Sequence, residues 1–235
     1  MQKFNLFVFK ILMKIAKRTK KIKEIFTKNE ESAFDLIRKR SVESTANYIE
    51  LNLHKIVLFR DKKQLWDLSL REAQPDGLFL EFGVFDGGSI KYFAKKFPEY
   101  IFHGFDSFIG LKEAWQGNQF TEGAFSLNGR KPKVPKNVKL YAGWFDETLP
   151  VFLSKTDEKV SFIHLDADTY ESTKYVLETL ESLIGKGTVL VFDEYFGFPN
   201  WENGEFLAWN EFCKKRSISF EYLCFTGNQA AVRIN

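Results

Sequence analysis

Cysteine is nearly missing from this chain of 235 residues: Cys213 and Cys224 are the only two. They match no zinc-ligand spacing and build no disulfide framework. They read as free thiols of a reducing compartment, and a bridge between them would need a geometry that sequence does not specify. Histidine is almost as scarce, and His54, His103 and His164 form no Ser–His–Asp or metal-ligand pattern. His164 reads as a core histidine. No apolar run approaches the ~20 residues of a membrane-spanning helix. The chain has no P-loop and no G-x-G-x-x-G turn, so neither nucleotide fingerprint is available. Lys10 and Lys14 interrupt the first apolar stretch and no small-residue cleavage site follows. A secretory leader is therefore not expected, and a cytoplasmic placement is.

A basic body is missing too. The net charge is +3, but residues 1–40 alone carry +8, leaving −5 on the rest. Nucleic-acid binding needs positive charge on the folded domain itself, so no nucleic-acid partner is expected. What is abundant is phenylalanine, with 26 residues, and an apolar fraction of 44% that suffices for a substantial core.

Three regions follow from the patterning. Residues 1–28 form a basic arm whose Phe4, Phe7, Val8, Ile11, Leu12, Ile15, Ile22 and Phe26 share one helical face. Residues 29–74 carry further helical periodicity. After the turn signal Gln74-Pro75-Asp76-Gly77, residues 75–235 alternate short apolar runs with helical segments. Strands are expected at 78–83, 101–106, 138–143, 160–166, 188–193, 218–225 and 229–234, the last two joined as a hairpin. The fold class is α/β: a doubly wound, mostly parallel, seven-stranded sheet with a helical N-terminal extension. In such sheets ligands bind at the carboxyl ends of the strands, beside the switch in strand order.

The residues at those ends carry the chemistry. The first strand runs into EFGVFDGGS, where Gly83, Gly87 and Gly88 bracket a tight turn. Its spacing differs from the dinucleotide turn, which aims amides at a pyrophosphate. An adenosyl ligand carrying amino and carboxylate groups, as S-adenosylmethionine does, fits better: Glu81 suits the amino group, and Ser89 with the amides near it suits the carboxylate. A plain turn would leave Glu81 at a buried strand end without a reason. The second strand ends in Asp106-Ser107, and a carboxylate there can accept both ribose hydroxyls, although a turn or cap aspartate reads the same way. Gly143-Trp144-Phe145 ends the third strand, with rings that suit an adenine or the core. Asp166, Asp168, Asp193 and Glu194 end the fourth and fifth strands. Carboxylates converging there repel unless a cation or protons intervene, and oxygen-rich sites suit Mg2+, Mn2+ or Ca2+. Asp168-x-x-Glu171 also resembles a helix capping box. Residues 107–136 read as a polar loop able to act as a lid, and Trp115, Tyr195, Phe198 and Trp201 as a wall for a sugar ring, or as ordinary packing.

EFGVFDGGS, GFDSFIGL, AGWFDETLP, LDADTYEST and FDEY together resemble the macrocin O-methyltransferase family over about residues 75–234. The resemblance implies a class I methyltransferase, Rossmann-like fold, S-adenosylmethionine as donor, and Mg2+-assisted methylation of a sugar, glycan-precursor or glycosylated-metabolite hydroxyl. It places Asp166, Asp193 and Glu194 on metal-ligand positions and Asp168 on that of the general base. Glu194 stands where that family commonly has Asp, and its extra methylene moves the carboxylate. Two other readings remain: a metal-independent enzyme acting on an amine or carboxylate, and a donor-binding partner subunit without catalysis. The partner expected is a small-molecule or glycan acceptor, and a homo-oligomer is compatible.

The arm has two readings, packing against protein or lying on the anionic inner face of a membrane, where each basic residue contributes about 1 kcal/mol. If it binds membrane, the full chain pellets with anionic vesicles at low salt and less at high salt, and a chain lacking residues 1–28 stays in solution. Equal pelleting of the two assigns the arm to packing.

Overall fold

The computed structural model describes residues 32–235. The basic arm, residues 1–28, lies outside the described residues. Contacts group the chain into two units, Met1–Arg40 and Ser41–Asn235, so residues 41–74 group with the body. Helix α1, Ala33–Asn52, begins in the first unit and ends in the second. Among the described residues no helix is long and apolar enough to cross a membrane.

The body alternates strand and helix: β1 (Val57–Leu58), α2 (Lys62–Glu72), β2 (Leu78–Phe82), α3 (Gly88–Lys96), β3 (Phe102–Asp106), β4 (Val138–Ala142), α4 (Phe145–Leu153), β5 (Val160–Leu165), α5 (Tyr170–Thr179), β6 (Val189–Phe192), α6 (Glu205–Arg216), β7 (Phe220–Phe225) and β8 (Ala230–Ile234). The sheet order is β1-β7-β8-β6-β5-β2-β3-β4. Every pairing is parallel except those of β8, which runs antiparallel to β6 and β7. The sheet thus has eight strands where seven are legible in the sequence. The addition is β1, two exposed residues whose alignment on Cys224 and Phe225 leaves no periodic trace. Residues 107–136 contain no helix or strand, as their glycines and prolines predict. Both cysteines are free and buried.

Strand alternation sorts the core into two faces. Leu80, Phe82, Ile163, Leu165, Leu190 and Phe192 pack with α4, α5 and α6. Phe79, Phe162, Val189 and Val191 face the other way, onto Leu65, Trp66, Ile90 and Phe93 of α2 and α3. Central strands buried on both faces explain why they read as continuous apolar runs rather than alternating ones.

The strand order reverses between β2 and β5, which run into Gly83 and Asp166. The chain there is packed backbone to backbone. Gly83 has φ +88°, and a Cβ on it would stand 1.8 Å from the Asp166 carbonyl oxygen. No side chain fits that space. Gly88 differs: the nearest atom to a Cβ would be Asp86 Oδ1 at 3.3 Å. Gly83→Ala should therefore destabilise the protein by about 3 kcal/mol or more through strain and displacement of β5. Gly88→Ala should change stability by less than about 1 kcal/mol. Urea unfolding midpoints of the two variants check this, and equal midpoints would refute the close approach.

Candidate functional site

A cavity of about 760 Å3 opens at the carboxyl ends of β2, β3 and β5. Of the residues singled out by the sequence, Gly83, Asp106, Ser107, Trp144, Asp166, Asp168 and Glu194 line it. Glu81, Gly87, Gly88, Ser89, Gly143 and Asp193 do not line it. Phe85, Phe120, Phe125 and Tyr175 line it as well. These four were not singled out, because an aromatic residue in a loop or on a helix gives no signal distinguishing wall from core.

Asp106 holds the glycine turn. Its Oδ2 accepts the amides of Val84 and Phe85 at 2.8 and 2.7 Å, and its Oδ1 accepts the Phe108 amide at 2.6 Å. The aspartate is thus a turn anchor and a cavity residue together, with acceptor capacity left on Oδ1. The Ser89 hydroxyl donates to Glu81 Oε1 at 3.0 Å, and the Gly88 amide donates to Asp86 Oδ1 at 2.9 Å. Gly87, at φ +81°, is the N-cap of α3. Trp144 is the N-cap of α4, and Lys112 from the long loop lies 5.5 Å over its ring while pairing with Asp146 at 2.9 Å.

The acidic end is built from two segments, those that follow β5 and β6. Each of Asp166, Asp168 and Glu194 offers a carboxylate oxygen within 4.8 Å of the others. Opposite ligands of Mg2+ are about 4.2 Å apart and those of Ca2+ about 5 Å, so a spacing of this size fits the donors of one such ion. Glu194 Oε2 is buried with no hydrogen-bond partner, which is the arrangement a cation would complete. Asp193 points elsewhere: its Oδ1 lies 3.5 Å from His164 Nε2 and accepts from Gln229 Nε2. The trio that converges is therefore Asp166, Asp168 and Glu194, with Asp193 behind it.

The helix-cap reading of Asp168 does not hold. Thr169 is the N-cap of α5, its hydroxyl accepting the Ser172 amide at 3.3 Å. Asp168 precedes it with φ +62°, and the Thr169 amide reaches back to the Ala167 carbonyl at 2.6 Å. A tight three-residue turn with a left-handed aspartate is a costly way to present a carboxylate. The sugar-wall reading divides. Trp115 lines the cavity, with Phe198 against it at 5.5 Å. Tyr195 is wholly buried and bonds Tyr222, and Trp201 is buried with its Nε1 on Ser44, so both belong to the core.

Electrostatics match this crowding. Burial, then the Asp193 and Asp106 charges, push Asp168 up to about 7. Burial and the neighbouring carboxylates hold Asp166 and Glu194 well above the ordinary range. Glu205, buried at the start of α6, is pushed up to about 8 by burial and by Asp193, and it accepts the Glu194 amide at 3.2 Å. In sequence it passes for an ordinary acidic residue of a first helical turn. His164, fully buried, lies between Glu81 and Asp193. Burial alone would lower its pKa, but the two carboxylates outweigh that and push it up to about 10.

Residues 80–195 match a family described as a methyltransferase domain. No curated protein sequence matches the chain. Among solved structures, the fold is similar to that of CalS11, a calicheamicin methyltransferase, with a TM-score of 0.60 and 22% identity over 87% of this chain and 94% of that one. An apo structure of CalS11, described as a TDP-rhamnose 3'-O-methyltransferase of calicheamicin biosynthesis, gives 0.52 and 23% identity over 87% and 96%. The O-methyltransferase NovP gives 0.50 and 19% over 72% and 75%.

Without metal, the raised carboxyls make stability depend on pH. Unfolded, Asp168 loses its proton near the ordinary value of about 4; folded, it keeps it up to about 7. The native state binds the extra proton between those limits, so stability falls as pH rises through them. In chelator, the melting temperature of Asp168→Asn should fall less than that of the parent protein between about pH 4 and about pH 7. Parallel curves would assign the raised pKa to another group.

Proposed function

From a chain that carries a class I, S-adenosylmethionine-dependent methyltransferase domain, we propose that it methylates a hydroxyl oxygen, with a sugar as the acceptor and a divalent cation, Mg2+, assisting. The observation that carries this reading is that the glycine turn, Asp106 and the acidic trio all face one cavity.

In this reading the donor lies between the Gly83 turn and Trp144, with Asp106 on the ribose side. Asp166 and Glu194 hold the cation, which would supply positive charge beside the acceptor oxygen and lower its pKa. Asp168 takes the hydroxyl proton: its turn presents the carboxylate to the cavity, and a pKa near the working pH suits a general base. The acceptor oxygen bonds to the methyl carbon, the carbon–sulfur bond breaks with its electron pair going to sulfur, and the proton ends on Asp168. Holding oxygen, methyl and sulfur in line accounts for much of the acceleration. Asp193, turned toward His164 and Gln229, supports the site from behind rather than ligating.

The sugar assignment rests on the cavity wall. Trp115, Phe120 and Phe125 present ring faces and edges, and the C–H face of a sugar ring packs well on such surfaces. The description of CalS11 as acting on TDP-rhamnose agrees with it.

The test is transfer of labelled methyl to a panel of sugar nucleotides and glycosides, with and without Mg2+. Turnover of at least one sugar acceptor should require the metal. Asp168→Asn should lower kcat by about 100-fold or more and leave S-adenosylhomocysteine affinity within about threefold. Full turnover after exhaustive chelation would remove the cation from the reading, and methylation of amines alone would remove the hydroxyl.

A further inference from the structure

We propose that His164 is a positioning residue for donor binding, whose ring bridges Glu81, behind the glycine turn, and Asp193, behind the acidic trio, into one unit. The inference rests on the donor site lying at that turn.

The bridge follows from strand register. β2, β5 and β6 are neighbours, and on the face toward α2 and α3 each apolar row ends in a polar residue. Phe79 is followed by Glu81, Phe162 by His164, and Val191 by Asp193. Glu81 is aligned with His164 across β2 and β5, and His164 with Val191 across β5 and β6. The imidazole therefore falls between two carboxylates on adjacent strands. Its Nδ1 is 3.4 Å from Glu81 Oε2 and its Nε2 is 3.5 Å from Asp193 Oδ1. These contacts are longer than close hydrogen bonds. Among the described residues neither ring nitrogen nor Glu81 Oε2 has a nearer partner. The rings of Trp66 and Phe93 stand edge-on to the imidazole at 5.7 and 5.2 Å and keep it from turning away.

The contacts continue at both ends. Glu81 receives the Ser89 hydroxyl at the start of α3, and Asp193 receives the Gln229 amide next to β8. A line of five side chains thus runs beneath the cavity from the donor turn to the far side of the acidic trio. Without the ring, Glu81 would be a buried carboxyl with nothing opposite its inner oxygen, and it would turn away. Ser89 and the helix start would follow it. A change at Asp193, which lies outside the cavity wall, should then be felt at the donor turn, and only through His164.

The experiment is calorimetric titration of S-adenosylhomocysteine into the full chain with chelator present, so that no metal contributes. The parent protein must bind; if it does not, the donor site itself is misplaced and the bridge falls with it. Given binding, His164→Gln and Asp193→Asn should each weaken affinity about tenfold, and the double variant should be no weaker than His164→Gln alone. Multiplied losses in the double variant, or unchanged affinity in Asp193→Asn, overturn the bridge while leaving the donor site intact. If His164→Gln does not fold, Glu81→Gln takes its place in the cycle: losses that overlap with those of Asp193→Asn support the bridge, and losses that multiply overturn it.

Discussion

Five carboxyl groups crowd one end of the sheet, and the structure around them is arranged by that fact. Asp166, Asp168, Asp193, Glu194 and Glu205 come from three segments that the sheet order forces together at β5, β6 and the start of α6. Like charges in a low-dielectric setting cannot all be ionised, so the cost must be met by protons, by a cation or by a buried base. All three remedies can be traced. Asp166, Asp168, Glu194 and Glu205 are held toward their protonated forms. The Glu194 oxygen without a partner leaves room for a cation. His164 compensates Asp193, whose carboxyl is the only one of the five drawn below its ordinary value, because the imidazole outweighs its burial. A cluster so costly to fold is hard to explain as packing and easy to explain as a site.

The glycine-turn side of the cavity obeys a different constraint, which is steric. The β2 turn and the end of β5 approach until no Cβ fits between Gly83 and the Asp166 carbonyl. That contact joins the glycine turn to the first acidic residue, so the two halves of the cavity cannot shift independently. Asp106 adds a second tie, taking amides from the turn and from the segment after β3. Under the proposed transfer, preorganisation of this kind would keep donor and acceptor positions fixed relative to each other before either is bound.

How much of this was legible in the sequence depends on the kind of signal. Strand ends were readable because each central strand is a short apolar run that gives way to a glycine or a polar residue, as at Gly83, Asp106, Asp166 and Asp193. The glycine turn was readable because its spacing differs from a dinucleotide turn at a countable number of positions. What could not be read was direction. Asp168 and Thr169 are both good caps, and only the backbone shows that Thr169 caps and Asp168 projects. Asp193 and Glu194 are consecutive, so alternation sends one toward His164 and the other to the cavity, and sequence does not say which. Tyr195 and Trp201 had the composition of a binding wall but sit in a tyrosine- and tryptophan-rich core. Glu205 and Gln229 enter the site from elements whose own patterns are ordinary. β1 was invisible because its two residues are specified by β7, not by their own sequence.

The aromatic side of the cavity completes the electrostatic account. Phe85 and Phe125, which line the cavity, both adopt left-handed backbone conformations, φ 47° and 64°, and their rings meet at 5.9 Å, with Phe120 beside Phe125 at 4.7 Å. Non-glycine residues in that conformation cost of order 1 kcal/mol each, so the rings must return something that straight loops would not. Transfer of a methyl group from a sulfonium to an oxygen that is losing its proton brings opposite charges together and cancels them. A reaction that disperses charge in this way is slowed by water, which solvates the separated charges better than the transition state, and is favoured by an apolar enclosure. Under the proposed transfer, the strained phenylalanines and the acidic trio are therefore parts of one arrangement: the rings keep water out of the space between donor and acceptor, and the lower dielectric that results is what makes the carboxylates and their cation strong enough to act across it.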